Sequence, residues 1–254
     1  MSVIKSFFIA FSIYSRVPVP QFVWKDEDMR YTLCFFPWVG LLIGVLVWGW
    51  MHLCAWLGIG KICTLLIGTA IPLLVTGGFH IDGYMDMMDA IHSYQPREKK
   101  LEIMKDAHIG AFAVIMLVLY YLIYIAAFSE IKDSSALAVF CFGFYLSRIL
   151  SGIGVVTFRS AKAEGLLYTF ANTAQERIVK ISLYGQLILC VGIMGWISWK
   201  TQLIVVGMAL LAFVYYRYRS YREFGGITGD TAGYFVSVCE AGMAVASAIS
   251  CLIK

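Results

Sequence analysis

Apolar residues run in long, charge-poor blocks near residues 32–57, 62–79, 109–129, 135–158, 181–199, 202–216 and 232–253, separated by short stretches rich in charge, Gly and Pro. A helix needs about 20 apolar residues to cross ~30 Å of hydrocarbon, and lipid admits only helices and closed barrels as spanning structures. The pattern therefore predicts an all-α, polytopic helical membrane protein: about seven transmembrane helices in a single integral membrane domain over residues 1–254. The block at 202–216 is short for a crossing, and its aromatic end (Tyr215, Tyr216, Tyr218, Tyr221) predicts that it continues into the interface. Residues 4–13 are apolar but too short to span, and Arg16, Val17, Pro18, Val19 and Pro20 follow them in place of a small-residue cleavage site. An N-terminal interfacial or re-entrant segment, not a cleaved leader, is the expectation.

Composition agrees with the pattern. Hydrophobic residues make up 60% and charged residues 14% of the 254, against about 25% charged in soluble domains, which excludes a soluble globular protein. The net charge of +4 is informative only through its distribution. With seven crossings, one side collects 15 Lys and Arg and the other four, Lys61, Lys132, Lys200 and Lys254. The richer side, which carries the loops near 80–108, 159–180 and 217–231, is cytoplasmic by the positive-inside rule. The 7 cysteines are scattered through apolar blocks without a CxxC pair and read as small core residues.

Polar chemistry is concentrated in the loop 80–108, which holds six of the 16 acids and three of the 4 histidines, His80, His92 and His108. If the second span continues as a helix past His80, then Asp82, Asp86 and Asp89 fall at i, i+4 and i+7 on one face. Three carboxylates that close repel unless a cation lies among them. All-oxygen ligands suit a hard divalent ion such as Mg²⁺, which is normally held by a few carboxylates plus substrate phosphates. The competing readings are a solvated acidic helix face, or zinc held by His80 and Asp82 with His92 or His108. The preceding Gly77 and Gly78 permit a kink at the membrane boundary.

Two further segments on the same side bear on the site. Glu102 and Asp106 stand at i and i+4 before the third span, so that Asp106 is a fourth candidate metal ligand and Lys105 a phosphate-neutralising cation, against the alternative of a salt-bridged helix end. Phe224, Gly225, Gly226, Ile227, Thr228, Gly229 and Asp230 form a Gly-rich turn into the last span, whose N–H groups would suit phosphate oxygens or merely close a tight turn. Arg148 and Glu240 lie inside spans, where each needs a partner or a watery cavity. They are expected either to pair with each other or to line a substrate cavity.

Together these segments resemble the cobalamin synthase family, adenosylcobinamide-GDP ribazoletransferase. The motif TGGxHLDGLADTxDG is matched by Thr76, Gly77, Gly78, Phe79, His80, Ile81, Asp82, Gly83, Tyr84, Met85, Asp86, Met87, Met88, Asp89 and Ala90, and LEIMKDSRIG by residues 101–110. RxxxxxEGLG is echoed by Arg159, Ser160, Ala161, Lys162, Ala163, Glu164, Gly165 and Leu166, and GGxTGDxxG by residues 225–233. Tyr84, Met85, Ala90, Ala107, His108 and Lys162 depart from the family pattern.

The resemblance implies a membrane phosphotransferase of the late steps of cobalamin biosynthesis in a bacterial or archaeal cytoplasmic (inner) membrane. It would join adenosylcobinamide-GDP to alpha-ribazole, or to its 5'-phosphate, and release GMP. The implied cofactor is Mg²⁺ on Asp82, Asp86, Asp89 and Asp106. Catalytic roles fall to Asp82, Asp86, His80 and Lys105, with a carboxylate or His80 as base toward the 5'-hydroxyl if the free nucleoside is the acceptor. Substrate contacts fall to Arg159, Lys162, Glu164, Gly226, Thr228 and Asp230. The implied partners are the two substrates, the lipid bilayer and other enzymes of nucleotide-loop assembly, with no nucleic acid; a homo-oligomer is left open. The alternatives are a CDP-alcohol-type membrane phosphotransferase, whose motif would place Ala-Arg after Asp82 and Gly83, or a secondary transporter built around Arg148 and Glu240.

Overall fold

The computed structural model describes residues 2–20, 25–161 and 174–253. Within them the chain is helical: α1 (Ser2–Tyr14), α2 (Thr32–Leu57), α3 (Lys61–Thr76), α4 (Phe79–His92), α5 (Arg97–Ile103), α6 (Ala111–Ser129), α7 (Ser134–Thr157), α8 (Glu176–Phe224) and α9 (Gly229–Leu252), with a 3-10 turn at Asp26–Met29. Among the described residues the only β-like feature is an isolated parallel bridge between Ser160 and Ile227.

Five of these helices are long and apolar enough to cross a membrane, and a sixth span results if α3 and α4 are taken as one bent pair. A count of seven is reached only when the two halves of α8 are counted separately, and two breaks in the chain bear on it. The second block does not run on past His80: Gly77 (φ 66) and Gly78 (φ 84) turn the chain by 93° between α3 and α4. Both glycines adopt left-handed backbone that residues with a Cβ resist. The blocks at 181–199 and 202–216 are joined in α8, whose 49 residues contain one non-helical position, Ser198 (φ −158, ψ 99). Straight, α8 would be about 74 Å long. Instead Leu183 lies against Gly152 and Tyr216 against Gly154, while Cys190 reaches the Phe142 carbonyl. The chain thus passes along α7 in one direction and returns along it after Ser198, whose hydroxyl meets the Thr201 hydroxyl at 2.9 Å.

The most enclosed helix is α7, packed by α2, by both halves of α8 and by α9. Arg148 on α7 is 1% exposed and pairs with Glu240 on α9 at 2.5 Å, with Ser147 donating to the same carboxylate oxygen at 3.2 Å. An isolated charge at this depth is costly, so the pair is the condition on which both residues are tolerated. α1 has 13 residues, too few to span. It packs on α2 and is tied to the 3-10 turn by Lys5 to Asp28 at 3.3 Å and by the Ser6 hydroxyl donating to the Asp28 carbonyl at 2.6 Å.

Candidate functional site

The three motif segments that lie among the described residues meet around α4. This helix crosses α9 where small residues allow it: a Cβ on Gly83 would stand 2.7 Å from the Asp230 carbonyl oxygen, and one on Gly233 3.0 Å from that of His80. A second attachment comes from Tyr84, which stacks on Tyr234 at 5.7 Å and donates to the Met116 carbonyl of α6 at 3.2 Å. Met87, Met88, Ala90 and Ile91 fill a separate apolar cluster with Met104, Phe224 and Tyr234. That cluster explains the bulk of Tyr84, which is a core residue here.

At about 100° of rotation per residue, the residues that meet α9 (His80, Gly83) and those on the far side (Ile81, Met85) occupy opposite faces of α4. Asp82 and Asp86 occupy the ridge between them, with Asp82 exposed and Asp86 half-buried. The shared face predicted for these two therefore survives the break at Gly77–Gly78, because their spacing lies wholly within α4.

Asp89 and Asp106 do not join them as close ligands. Asp89 accepts from the Gly110 N–H at 2.6 Å and the Ala113 N–H at 2.8 Å, which makes it the cap of α6. Asp106 accepts from the His108 N–H at 3.0 Å and pairs with its Nδ1 at 2.6 Å. The His108 side-chain hydrogen bond, together with the His108 amide, holds the Asp106 carboxyl below its ordinary pKa. Among the described residues no group of three or more His, Cys, Asp or Glu side chains is gathered closely enough to hold a metal by itself. What fits a hard cation is the Asp82–Asp86 pair, since Mg²⁺ commonly takes only one or two carboxylates and completes its shell with water and substrate phosphate.

His80 lies on the inward face of α4. It is 7% exposed, stacked on Phe36 at 5.9 Å, and its Nδ1 has no hydrogen-bond partner. It lines a cavity of about 30 Å³ inside the bundle with Tyr120, Tyr124, Arg148 and Glu240, on the opposite side of the helix from the exposed Asp82. The expectation that His80 acts as base on substrate does not suit this position. His92 is likewise engaged locally, with Nδ1 at 2.8 Å from the Met88 carbonyl.

The Gly-rich turn has a different role from the one its composition suggests. The Gly225, Gly226 and Ile227 N–H groups donate to the carbonyls of Tyr221 (3.0 Å), Ser220 (3.3 Å) and Arg159 (2.9 Å). Thr228 and Thr231 cap α9 reciprocally, the Thr228 N–H meeting the Thr231 hydroxyl at 2.8 Å and the Thr231 N–H the Thr228 hydroxyl at 3.2 Å. These amides point inward, so residues 225–228 do not form an N–H cradle, and Gly226 and Thr228 are buried structural residues. Asp230 is half-buried beside Gly83 and accepts from the Thr228 hydroxyl at 3.3 Å.

What the turn does supply is a seat for cations. Arg159 donates from Nε and Nη2 to the Gly225 carbonyl, at 3.1 and 2.7 Å, and the Arg97 guanidinium packs on the Gly225 Cα. Arg97 begins α5, which is anchored to the end of α8 by Lys100 to Glu223 at 2.5 Å. Lys105 is exposed on the segment after α5. Lys162 and Glu164 lie outside the described residues. Arg97 was not among the candidates read from the sequence, because only the folded chain brings it to Gly225.

Across the α4 ridge an open cavity of about 540 Å³ is bounded by the end of α1, Arg16, the Gly77–Gly78 break, and Phe79, Ile81, Asp82 and Met85 of α4. Arg16 is exposed. Its backbone N–H donates to the Val75 carbonyl at 2.7 Å and its side chain lies directly on Gly77.

The family model for cobalamin-5-phosphate synthase matches residues 6–248 of the chain. The chain is 44% identical to the adenosylcobinamide-GDP ribazoletransferase of Lachnoclostridium phytofermentans, over 100% of this chain and 97% of that one. It is 28% identical to the protein of that name from Clostridium perfringens, over 93% and 94%, and 28% identical to that from Listeria monocytogenes, over 90% and 91%. No solved structure matches.

Proposed function

The chain belongs to the cobalamin-5-phosphate synthase family, and from that premise we propose that it transfers the cobinamide phosphoryl group of adenosylcobinamide-GDP to alpha-ribazole 5'-phosphate or alpha-ribazole, releasing GMP. A ribose oxygen of the acceptor forms a bond to the phosphorus on the cobinamide side, the bridging P–O bond breaks, and GMP departs with the bridging oxygen. The family's name specifies a product that carries a 5-phosphate. An acceptor that keeps its 5'-phosphate attacks through another ribose hydroxyl, so attack at the 5' position is confined to unphosphorylated alpha-ribazole.

The observation that carries the reading is the placement of Asp82 and Asp86 on the polar ridge of α4, a helix whose Gly83 packs on Asp230, just past the turn at Gly225 that seats two guanidinium groups. A divalent cation bound there, with Mg²⁺ the best fit, supplies Lewis-acid neutralisation of the diphosphate. Asp82 and Asp86 would hold it. Arg97, and the N–H groups of Arg159 that do not face Gly225, bind phosphate oxygens, a role that planar guanidinium suits better than ammonium. Lys105 adds a third cation. A carboxylate of the ridge, not the inward His80, takes the proton of the attacking hydroxyl.

The positive-inside distribution supports a cytoplasmic-facing site in a cell's inner membrane. A CDP-alcohol substrate is disfavoured, because in a DGxxAR motif begun by Asp82 and Gly83 the positions of Ala-Arg are held by Asp86 and Met87. The test is to supply purified protein with adenosylcobinamide-GDP, either acceptor and Mg²⁺. GMP and a cobalamin product in equal amounts are expected, and turnover of a CDP-alcohol without corrinoid turnover would overturn the assignment.

A further inference from the structure

We infer that the cavity between the end of α1 and the α3–α4 break is the acceptor site, and that Arg16 binds the acceptor's 5'-phosphate. The inference rests on the phosphotransfer reading above and adds to it the place and the charge of the second substrate.

Three observations carry it. First, the cavity and the α9 contact lie on opposite faces of α4 with Asp82 and Asp86 between them, and Asp82 itself lines the cavity. Displacement at phosphorus is in line, so nucleophile and leaving group approach the reacting phosphorus from opposite sides. With the Arg97–Arg159 seat engaged by the departing nucleotide's phosphate, the side left for the acceptor is the one Arg16 faces. Second, Arg16 forms no ion pair among the described residues, although Asp82 bounds the same cavity. Its backbone is fixed to Val75 and its side chain lies on Gly77, where a Cβ would collide with it. The guanidinium is held in place with donors to offer, an arrangement that favours a charge-assisted contact to phosphate. Third, at about 540 Å³ the cavity is within the range of small-molecule sites. It suits a mononucleotide and is too small to enclose a corrinoid. Ile13, Phe79, Ile81 and Met85 offer apolar surface to a flat base, while Ser12, Ser15 and Thr76 are polar.

The experiment compares full-length wild type with Arg16→Ala and Arg16→Lys, measuring kcat and KM for alpha-ribazole 5'-phosphate and for alpha-ribazole at saturating adenosylcobinamide-GDP. Wild type is expected to have the lower KM for the phosphorylated acceptor. In Arg16→Ala that KM is expected to rise about 10- to 100-fold while the KM for alpha-ribazole changes less than about twofold; Arg16→Lys should fall between. Turnover of the unphosphorylated acceptor shows that each variant is folded. Equal loss with both acceptors, a change in the KM for adenosylcobinamide-GDP alone, no change at all, or no wild-type preference for the phosphorylated acceptor would each overturn the inference while leaving the phosphotransfer reading intact. Absence of product from folded wild type with either acceptor would overturn both.

Discussion

Two aspartates on one short helix have different roles because of what each faces. Asp82 is exposed on the α4 ridge, whereas Asp89, about two turns along, caps α6 through two amides. Asp82→Asn is expected to lower turnover by roughly 100-fold or more with an unchanged melting temperature. Asp89→Ala is expected to destabilise by about 1–2 kcal/mol with a much smaller effect on turnover per folded molecule. Thermal unfolding in detergent, read beside initial rates, separates the two. The Arg148–Glu240 pair belongs to the same scale. Glu240→Leu leaves a guanidinium buried without its counter-ion and is expected to cost about 3–5 kcal/mol. The double variant Arg148→Met, Glu240→Leu should recover most of that loss, and a double-mutant cycle checks it. Pairing of these two charges follows from the cost of isolated charge in a span, so it was foreseeable from sequence; which of the alternatives the fold uses is decided by a 2.5 Å contact.

At the scale of elements, the catalytic face we propose on α4 depends on how closely α4 approaches α9. A Cβ at Gly83 meets backbone atoms of Asp230, which cannot swing aside as a side chain can, whereas a Cβ at Gly229 meets nothing within 4 Å. Gly83→Ala is therefore expected to push α4 off α9 and to abolish most activity, and Gly229→Ala to be tolerated; parallel rate measurements on the two purified variants check this. The apolar blocks were legible in sequence because each buries or greases a helix of membrane length. The break between the blocks at 181–199 and 202–216 was read at Lys200, two residues from Ser198, where the chain reverses without Gly or Pro and both halves of α8 pack on α7. The Gly-rich turn misleads: its composition matches an anion cradle, but helix capping and the bridge to Arg159 engage its amides. The shared face of Asp82 and Asp86 was legible from spacing, since i and i+4 need only local helix. Arg97 had no comparable signal, because it reaches the site through a tertiary contact with Gly225, which is remote in sequence.

For the whole molecule, the residues of the proposed site lie at one end of the bundle. Arg16, the α3–α4 break, α4, Arg159 and the Gly225 turn cluster there, while the α2–α3 connection at Gly58–Gly60, the α6–α7 connection and Ser198 mark the other ends of the helices. If the charged end is cytoplasmic, a membrane-impermeant thiol reagent added to intact spheroplasts should label Lys61→Cys, in a Cys63→Ser background, and should reach His108→Cys only after permeabilisation. The reverse labelling pattern would invert the molecule in the membrane.

The most direct test of the central claim, that Asp82 and Asp86 hold the divalent ion of a phosphoryl transfer, is a metal titration of GMP release by wild type, Asp82→Asn and Asp86→Asn, started from chelator-treated protein. The account predicts no release by wild type without metal and recovery with Mg²⁺. Each variant should require at least about tenfold more metal for half-maximal rate, or show no recovery. Release that persists in chelator, or variants that titrate with metal as wild type does, would contradict it.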